Sequence, residues 1–550
     1  MSNYSHDLVA LAPPLVFMLF GMIVLLGEVF TSRKNLLFVL SLIGCVAAGI
    51  IALSAALTGD ATEAFAGGMV SDHFGSLFNV ALALIAGLSI LMSDRHTDEN
   101  NVAHGEYYSL ILLSTSGASL MAMANDLINV FLGLEVLSIA LYILAGFARR
   151  EARSEESSVK YFLLGSFASG FFLYGTALIY GAVGLAARAN PTMPLASGSF
   201  TNFGVIEQAL RGAPGLATQP LFVAGIALII VGLGFKASIV PFHVWTADVY
   251  EGAPTSVTAF MSAGAKVGAF GALIRVFEFL GPRTVAGVTT GGAGDAPYQA
   301  VLWMLAALTM VVGNVLAVRQ TNIKRMLAYS SIAHAGYILV GVLGALVTGS
   351  QLSRDAILYY LFAYTFMNLG AFAVVIWLRR KGGEFLDIRD YQGLARLHPG
   401  AAAAMAVFML SLAGIPPTAG FFGKLYLFLP VVGSGNPSLI ALAAIGLVVS
   451  VIGVFYYLRI IVQMYFQAPE QDFVGVSPST GVRLTAAISA IATLVLGVIP
   501  IRGLVPNGAS ENRAPRFRPA ATVTPPVSQQ TLPATKTLPT VKKPLTVSQR

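Results

Sequence analysis

Five ionisable residues lie inside apolar runs of this 550-residue sequence: Glu135, Lys236, Lys266, His334 and Lys424. Glu135 falls in NVFLGLEVLSIALYIL, Lys266 in the small-residue run MSAGAKVGAFGALI, and His334 in MLAYSSIAHAGYILV. Lys424 follows the Pro-Pro pair of GIPPTAGFFGK, and Lys236 heads LGFKASIVPFHVWTADVYEGAP, in which Pro241, His243 and Asp248 follow. A charge near the middle of a bilayer costs at least a few kcal/mol, so an ionisable residue there marks a transport path or a relay. Three lysines and a histidine cannot all pair with one glutamate. Burial disfavours the charged form of a lysine and a nearby carboxylate favours it, so an amine held between those influences can load and release a proton. The chemistry open to this set is proton transfer.

Each residue also has a plainer reading. Lys236 and Lys424 could snorkel to an interface, and Glu135 with Lys236 could be a purely structural ion pair. His334, near Ser330, Ser331 and Tyr337, could be a hydrogen-bonded packing residue. Lys266 is harder to dismiss, because its neighbours on both sides are apolar or small. Lys160 and Arg149 read most simply as topology determinants, Glu28 as interfacial, and Asp126 as the N-cap of a helix. Soluble-enzyme chemistry has no support: there is no G-x-x-x-x-G-K-[ST] loop, no H-E-x-x-H and no His/Asp/Glu set at metal spacing. Haem ligation by His243 and His334 lacks the paired histidines such a site uses. A single cysteine, Cys45, excludes disulfide frameworks, iron–sulfur clusters and thiolate metal sites.

The elements that must position these side chains are membrane helices. The chain is 56% hydrophobic and 11% charged, with mean hydropathy +0.75, whereas about a quarter of an ordinary soluble domain is charged. Runs of about 20 apolar residues cross a bilayer. Fourteen are expected, near 11–30, 36–57, 74–92, 107–124, 127–147, 161–186, 219–244, 254–279, 299–318, 326–346, 356–378, 403–430, 438–466 and 484–501. The first lacks a basic leader and a small-residue cleavage site, so no cleavable signal peptide is expected.

Loop charge supports this count. Connections after odd-numbered spans carry sixteen Lys/Arg, and those after even-numbered spans only Arg188, Arg211, Arg283 and Arg354. The positive-inside rule then puts both termini on the non-cytoplasmic side. The net charge of +7 belongs to the tail, where from Arg502 onward eight Lys/Arg face one acid, Glu511. The body is neutral, so nucleic-acid binding has no support.

Two spans are interrupted, the seventh at Pro241 and the twelfth at Pro416 and Pro417, flanked by Gly414 and Gly420. Proline in a helix removes a hydrogen bond, here the one to the Ala237 carbonyl, and a membrane tolerates that only where protein or a water-lined cavity receives the freed groups. Breaks at corresponding places in two halves point to inverted repeats with a site between them. An all-α polytopic fold follows, with helices 1–3 in 1–106, a first five-helix repeat in 107–279, an inverted second in 299–466 and a last helix at 484–501. Residues 503–550 form a Pro/Thr-rich basic tail that cannot fold alone.

The stretches NDLINVFLGLEVLSIALYIL (126–145), SSVKYFLLGSFASGFFLYGTALIYG (157–181), LGFKASIVPFHVWTADVYEGAPTSVTAF (233–260), RQTNIKRMLAYSSIAHAGY (319–337) and GIPPTAGFFGKLYLF (414–428) carry a resemblance. The sequence resembles the antiporter-like membrane subunits of proton-translocating NADH:quinone oxidoreductase, respiratory complex I. Within them it is most similar to subunit N. The W-T-x-D-V-Y-E-G-A-P turn sets it apart from subunits L and M, the lack of a long C-terminal lateral helix argues against subunit L, and a lysine at 424 stands where subunit M has a glutamate. Two features depart from the pattern: Ala247 replaces the usual proline after Trp245-Thr246, and the tail after Gly503 has no counterpart.

The resemblance implies fourteen helices and a set of roles. Glu135 would modulate Lys236, Lys266 would be the central lysine, His334 a bridge along the midplane and Lys424 the terminal exit, with Lys160 and His243 supporting. It implies a non-redox subunit of the translocase: NADH, FMN, iron–sulfur clusters and quinone would belong to other subunits, leaving no cofactor or metal here. Partners would be the other complex I subunits, especially subunit M and the small membrane subunits, with lipid, water and protons, in a bacterial inner membrane. Two rival readings stand beside it: a subunit of a multi-subunit cation/proton antiporter, and a mainly structural scaffold.

Overall fold

The computed structural model describes residues 2–498 except 32, 60, 94–104, 150, 192–197, 279, 281–282, 286–287, 291–296, 379–383 and 470–477; the 503–550 tail lies outside the described residues. The main helices are α1 (Ala12–Phe30), α2 (Lys34–Thr58), α3 (His73–Met92), α4 (Gly105–Met123), α5 (Leu127–Ala145), α6 (Ala152–Ala189) and α7 (Pro220–Ala237). After a short helix, Thr246–Gly252, come α8 (Thr255–Glu278), α9 (Pro297–Val318), α10 (Ile323–Thr348) and α11 (Gln351–Trp377). The chain closes with α12 (Pro399–Ala413), α13 (Ala419–Gly433), α14 (Pro437–Phe466) and α15 (Thr480–Val498). Among the described residues twelve helices are long and apolar enough to cross a membrane; α4 and the shorter α12 and α13 are the others named here. Two small antiparallel hairpins, Thr62–Ala64 with Met69–Ser71 and Arg283–Val285 with Val288–Thr290, depart from the purely helical expectation.

Local chemistry sets the ends of α5 and α10 in the same way. Asp126 accepts from the Ile128 N–H at 2.8 Å and Asn322 from the Lys324 N–H at 2.9 Å, each filling an N-cap. Around each cap the backbone makes a reciprocal pair with a later connection. Leu127 N–H donates to Thr201 O and Phe203 N–H to Asn125 O; Ile323 N–H donates to Leu386 O and Ile388 N–H to Thr321 O.

The helices at the centre are α8, α10 and α11, with 100%, 83% and 94% of their apolar windows buried, whereas α1 and α2 form the rim at 28% and 33%. Lipid is as apolar as a protein core, so close helix packing rests on small residues. A methyl group on Gly117 of α4 would lie 2.3 Å from the Leu137 nitrogen of α5, and one on Gly133 would lie 2.9 Å from the Gly117 carbonyl oxygen.

Both expected breaks are present, and they are capped alike. Helix α7 ends at Ala237, ahead of Pro241, because Ser238 turns left-handed (φ 60°, ψ 40°) and Ile239 N–H reaches back to Gly234 O at 2.8 Å. Helix α12 ends at Ala413, Gly414 turns left-handed (φ 85°, ψ 44°), and Ile415 N–H reaches Leu410 O at 3.0 Å. This is the Schellman type of helix stop, written S-I-V-P in one place and G-I-P-P in the other. Each turn holds a cis X–Pro bond, Val240–Pro241 and Pro416–Pro417.

Candidate functional site

The first break builds the surroundings of Lys236. Its ammonium is 2% exposed and donates to Ser138 Oγ of α5 at 2.9 Å and to the Tyr161 hydroxyl of α6 at 3.0 Å. It also lies over the rings of Tyr161 and Tyr142, at 5.0 and 5.7 Å. Tyr161 stacks on Trp245, with centroids 4.5 Å apart. The Trp245 indole N–H in turn donates to the Phe235 carbonyl at 3.0 Å, which also accepts from the Ser238 N–H at the end of α7. Beside this amine lies a narrow cleft, too tight for a free water molecule, bordered by Ser138, Tyr142 and Ser169. Glu135, one turn before Ser138, is half-buried and within electrostatic reach of Lys236. Its Oε1 has no hydrogen-bond partner among the described residues, so the structural ion pair is not formed.

Lys266 opens the last segment of α8, directly after a single π-helical turn, Met261–Ala265. Asn368 of α11 pins that turn through the Ser262 hydroxyl. The lysine donates to the Ser331 carbonyl of α10 and lies 5.9 Å from the Tyr364 ring centre. His334 is held at both nitrogens, Nδ1 to the Tyr360 hydroxyl at 2.5 Å and Nε2 to the Tyr457 hydroxyl at 3.1 Å. Its hydrogen-bond partners are therefore not its neighbours in sequence: Ser330 binds Tyr457 instead. Lys424, 8% exposed, donates to the Leu412 and Ala413 carbonyls at 3.0 and 3.1 Å and to Ser450 Oγ at 2.9 Å. Those carbonyls are among the last of α12, left without intrahelical partners by the break.

Shared rings make Lys266, His334 and Lys424 one continuous group. His334 lies 5.3 Å from Tyr364, which faces Lys266, and 5.6 Å from Tyr337; Lys424 sits 5.0 Å over that same Tyr337 ring. The Tyr337 hydroxyl is fixed by Asn314 at 3.0 Å, and Asn314 by Tyr456 at 3.1 Å. Neither Lys236 nor Lys424 snorkels.

The two supporting residues lie apart from this file. Lys160 is half exposed at the start of α6 and pairs with Glu156 at 2.6 Å and Asp248 at 3.1 Å. Arg325 of α10 joins Asp248 and Glu251, both at 2.8 Å. Burial would raise the Asp248 carboxyl, but hydrogen bonds from Arg325 and Lys160 outweigh it and hold the group below the usual carboxylate range. His243 sits in the turn after α7, and its Nδ1 has no hydrogen-bond partner among the described residues.

Sequence reading passed over Arg275, an ionisable residue inside the eighth span. It is 3% exposed in α8, forms a two-pronged pair with Asp72 at 2.7 and 2.5 Å, and donates from Nε to Ala122 O at 3.1 Å. It also missed Lys324, 2% exposed, which donates to Ala253 O at 2.8 Å and lies 3.5 Å from Glu384. A scan for every charge inside a span would have found Arg275. The tyrosines around His334 left no such signal, because tyrosine passes for an apolar residue in a span.

Comparison with known proteins gives one answer at three levels. The family described as "NADH:quinone oxidoreductase/Mrp antiporter, TM" matches residues 124–453. NADH-quinone oxidoreductase subunit N of Trichlorobacter lovleyi is 44% identical over 496 residues, covering 90% of this chain and 95% of the relative. A chain of respiratory complex I from Thermus thermophilus superposes with a TM-score of 0.70 at 31% identity, over 90% of this chain and 98% of that one. A chain of the Mrp complex from Dietzia sp. shares the fold, with a TM-score of 0.74 at 23% identity over 92% and 97% of the two chains. On these grounds the chain belongs to the family of NADH-quinone oxidoreductase subunit N, integral membrane proteins of antiporter-like fold.

Proposed function

We propose that this chain moves protons through the membrane arm of an NADH-quinone oxidoreductase, in step with electron transfer carried out by other subunits. The single observation that carries the reading is how the buried amines are solvated. Among the described residues, Lys236, Lys266 and Lys424 are met by hydroxyls, carbonyls and aromatic rings, with no carboxylate at ion-pair distance. A buried ion pair locks its charge in place. An amine among neutral acceptors can hold or give up a proton, which is what a relay requires.

In this reading a change in the partner of Glu135 alters how strongly Lys236 holds its proton, which then passes by way of Lys266 and His334 to Lys424. About 1.4 kcal/mol of altered partnering changes that hold tenfold. Fourteen spans follow if α4 counts as one and α12 with α13 as another. The matching caps of α5 and α10 and the matching stops of α7 and α12 support two halves related by inversion, since each pair is five spans apart. Loop charge supports both termini on the non-cytoplasmic side of a bacterial inner membrane. The chain carries no redox cofactor of its own, takes other membrane subunits as partners, and has subunit M as a neighbour.

Replacing Lys236 with alanine in the assembled complex should cut proton pumping per electron, while NADH oxidation by a soluble artificial acceptor survives. Normal pumping in that variant would rule out the role given to Lys236. Sodium-dependent transport without NADH in vesicles would instead favour the antiporter reading that the Mrp likeness leaves open.

A further inference from the structure

The short helix Thr246–Gly252 has seven residues, whereas α13, the helix after the other break, has fifteen. Two turns of helix do not hold together on their own, so its neighbours must fix it. They do so with charge. Arg325 of α10 donates from a single nitrogen, Nη1, to Asp248 and to Glu251, each at 2.8 Å. Those two acids are three residues apart and share one face of the helix. Asn322, the cap of α10, reaches Glu251 as well, at 3.2 Å. From α6, Lys160 meets the second oxygen of Asp248 at 3.1 Å. A methyl group on Gly252 would collide with Ser157 Oγ and the Arg153 carbonyl, so the short helix lies directly against α6.

The inner side of the same element serves Lys236. Trp245 stands at the N-cap of the short helix, 6.2 Å from the Tyr250 ring within it. Its indole is stacked on Tyr161, with the two planes 15° apart. Tyr161 directly follows Lys160 on α6, and its hydroxyl accepts from the Lys236 ammonium. Packed groups therefore run without a gap from the Arg325 guanidinium through the short helix, the indole and the phenol to the amine. Helix α10 also supplies the Ser331 carbonyl that receives Lys266, so one helix is the reference for both amines. The titratable groups facing Lys236 are Glu135 and Tyr142 of α5 and Tyr161 of α6. Of these, Tyr161 is the one that Trp245 stacks upon.

We propose that Arg325 is a positioning residue for Lys236: by clamping the short helix to α10, it keeps Trp245, and through it the Tyr161 hydroxyl, against the buried ammonium. A functional side chain works only while its supports hold it to within a fraction of an ångström. The guanidinium suits this task, because its fixed fork of N–H donors serves two carboxylates at once, whereas a lysine ammonium is a single mobile point charge. Without the clamp, two carboxylates are left to draw the short helix towards water, and the indole goes with it. The phenol then loses its backing, and Lys236 holds its proton less firmly. This rests on the relay reading above.

The test uses the assembled complex in sealed vesicles, with Arg325→Gln and Tyr161→Phe singly and together. Arg325→Gln should lower pumping per electron several-fold at neutral pH and shift its pH profile, so that acidifying the side from which the proton is drawn recovers it. Arg325→Lys, which keeps the charge, should restore part of the loss. Because both single changes act on the same hydroxyl, the double variant should be no worse than Tyr161→Phe alone, the mark of residues that act as one unit. A merely structural arginine would lower the amount of complex without moving the pH profile. If Arg325→Gln fails to assemble, Glu251→Gln, which leaves the pair with Asp248, should give a smaller shift in the same direction. An unmoved pH profile, or losses that add in full in the double variant, alongside a Lys236→Ala variant that no longer pumps, would overturn the clamp and leave the relay standing. A Lys236→Ala variant that pumps normally would remove the relay and the clamp together.

Discussion

Tyr161→Phe is the cleanest perturbation of the Lys236 pocket, because it takes away one oxygen and leaves the ring. The ring keeps its stacking on Trp245 at 4.5 Å and its edge contact with Tyr142 at 4.9 Å, so packing and the Trp245 hydrogen bond to Phe235 are preserved. What is lost is the 3.0 Å acceptor of the Lys236 ammonium, leaving the 2.9 Å bond to Ser138. A hydrogen bond to a charged group contributes about 1.5–3 kcal/mol. At about 1.4 kcal/mol per factor of ten, the protonated form of Lys236 becomes roughly tenfold to hundredfold less populated wherever loading is not saturated. Pumping per electron at neutral pH should fall accordingly, and acidifying the side from which the proton is drawn should recover it. The assay is acidification of proteoliposomes during NADH-driven quinone reduction, with the soluble-acceptor rate as the control for assembly. Unchanged pumping from neutral to mildly alkaline pH would refute the idea that the phenol helps to hold the proton on Lys236.

Two predictions concern the scaffold. Removing one partner of a buried ion pair strands the other charge at about 3–5 kcal/mol, so Asp72→Asn or Arg275→Ala should lower the thermal unfolding midpoint of the solubilised protein markedly. Pumping by whatever complex assembles should stay normal, because this pair has no contact with the amines; a variant as stable as the parent would refute the assignment. Gly117→Leu places side-chain carbon where the Leu137 backbone nitrogen would be 2.3 Å away, so α4 and α5 must separate. The amount of assembled complex in membranes should drop, and normal assembly would show that the close approach is dispensable.

Much of this arrangement was readable from residue types. A lysine or glutamate in an apolar run stands out because hydrocarbon offers it nothing, and that alone singled out Glu135, Lys236, Lys266, His334 and Lys424. Proline and glycine likewise marked both breaks. The exact stop of α7 was not readable, because Ser238, a residue with a Cβ, adopts the left-handed turn that glycine usually supplies. The π turn ahead of Lys266 was hidden as well, since it is one extra residue of winding with no change in composition. The partners of the amines escaped most completely. Tyr161, Tyr360 and Tyr457 look apolar along the chain, and only the folded bundle shows that their hydroxyls meet Lys236 and His334 from other helices. Arg275 was overlooked near the end of its span, where a basic residue passes for an interfacial one.

In the relay proposed above, the way His334 is gripped would limit how traffic can cross it. With Nδ1 and Nε2 moored to phenols on two different helices, the imidazole cannot swing like a crane arm from giver to taker. A hydrogen ion that arrives on one nitrogen must be matched by a departure from the other, and each crossing leaves the ring as the opposite tautomer. Until both phenols have turned round, the same ion cannot go through again. Within that proposal such a turnstile would admit one passenger per reset and shut out continuous leakage, whatever sets the pace of the resetting.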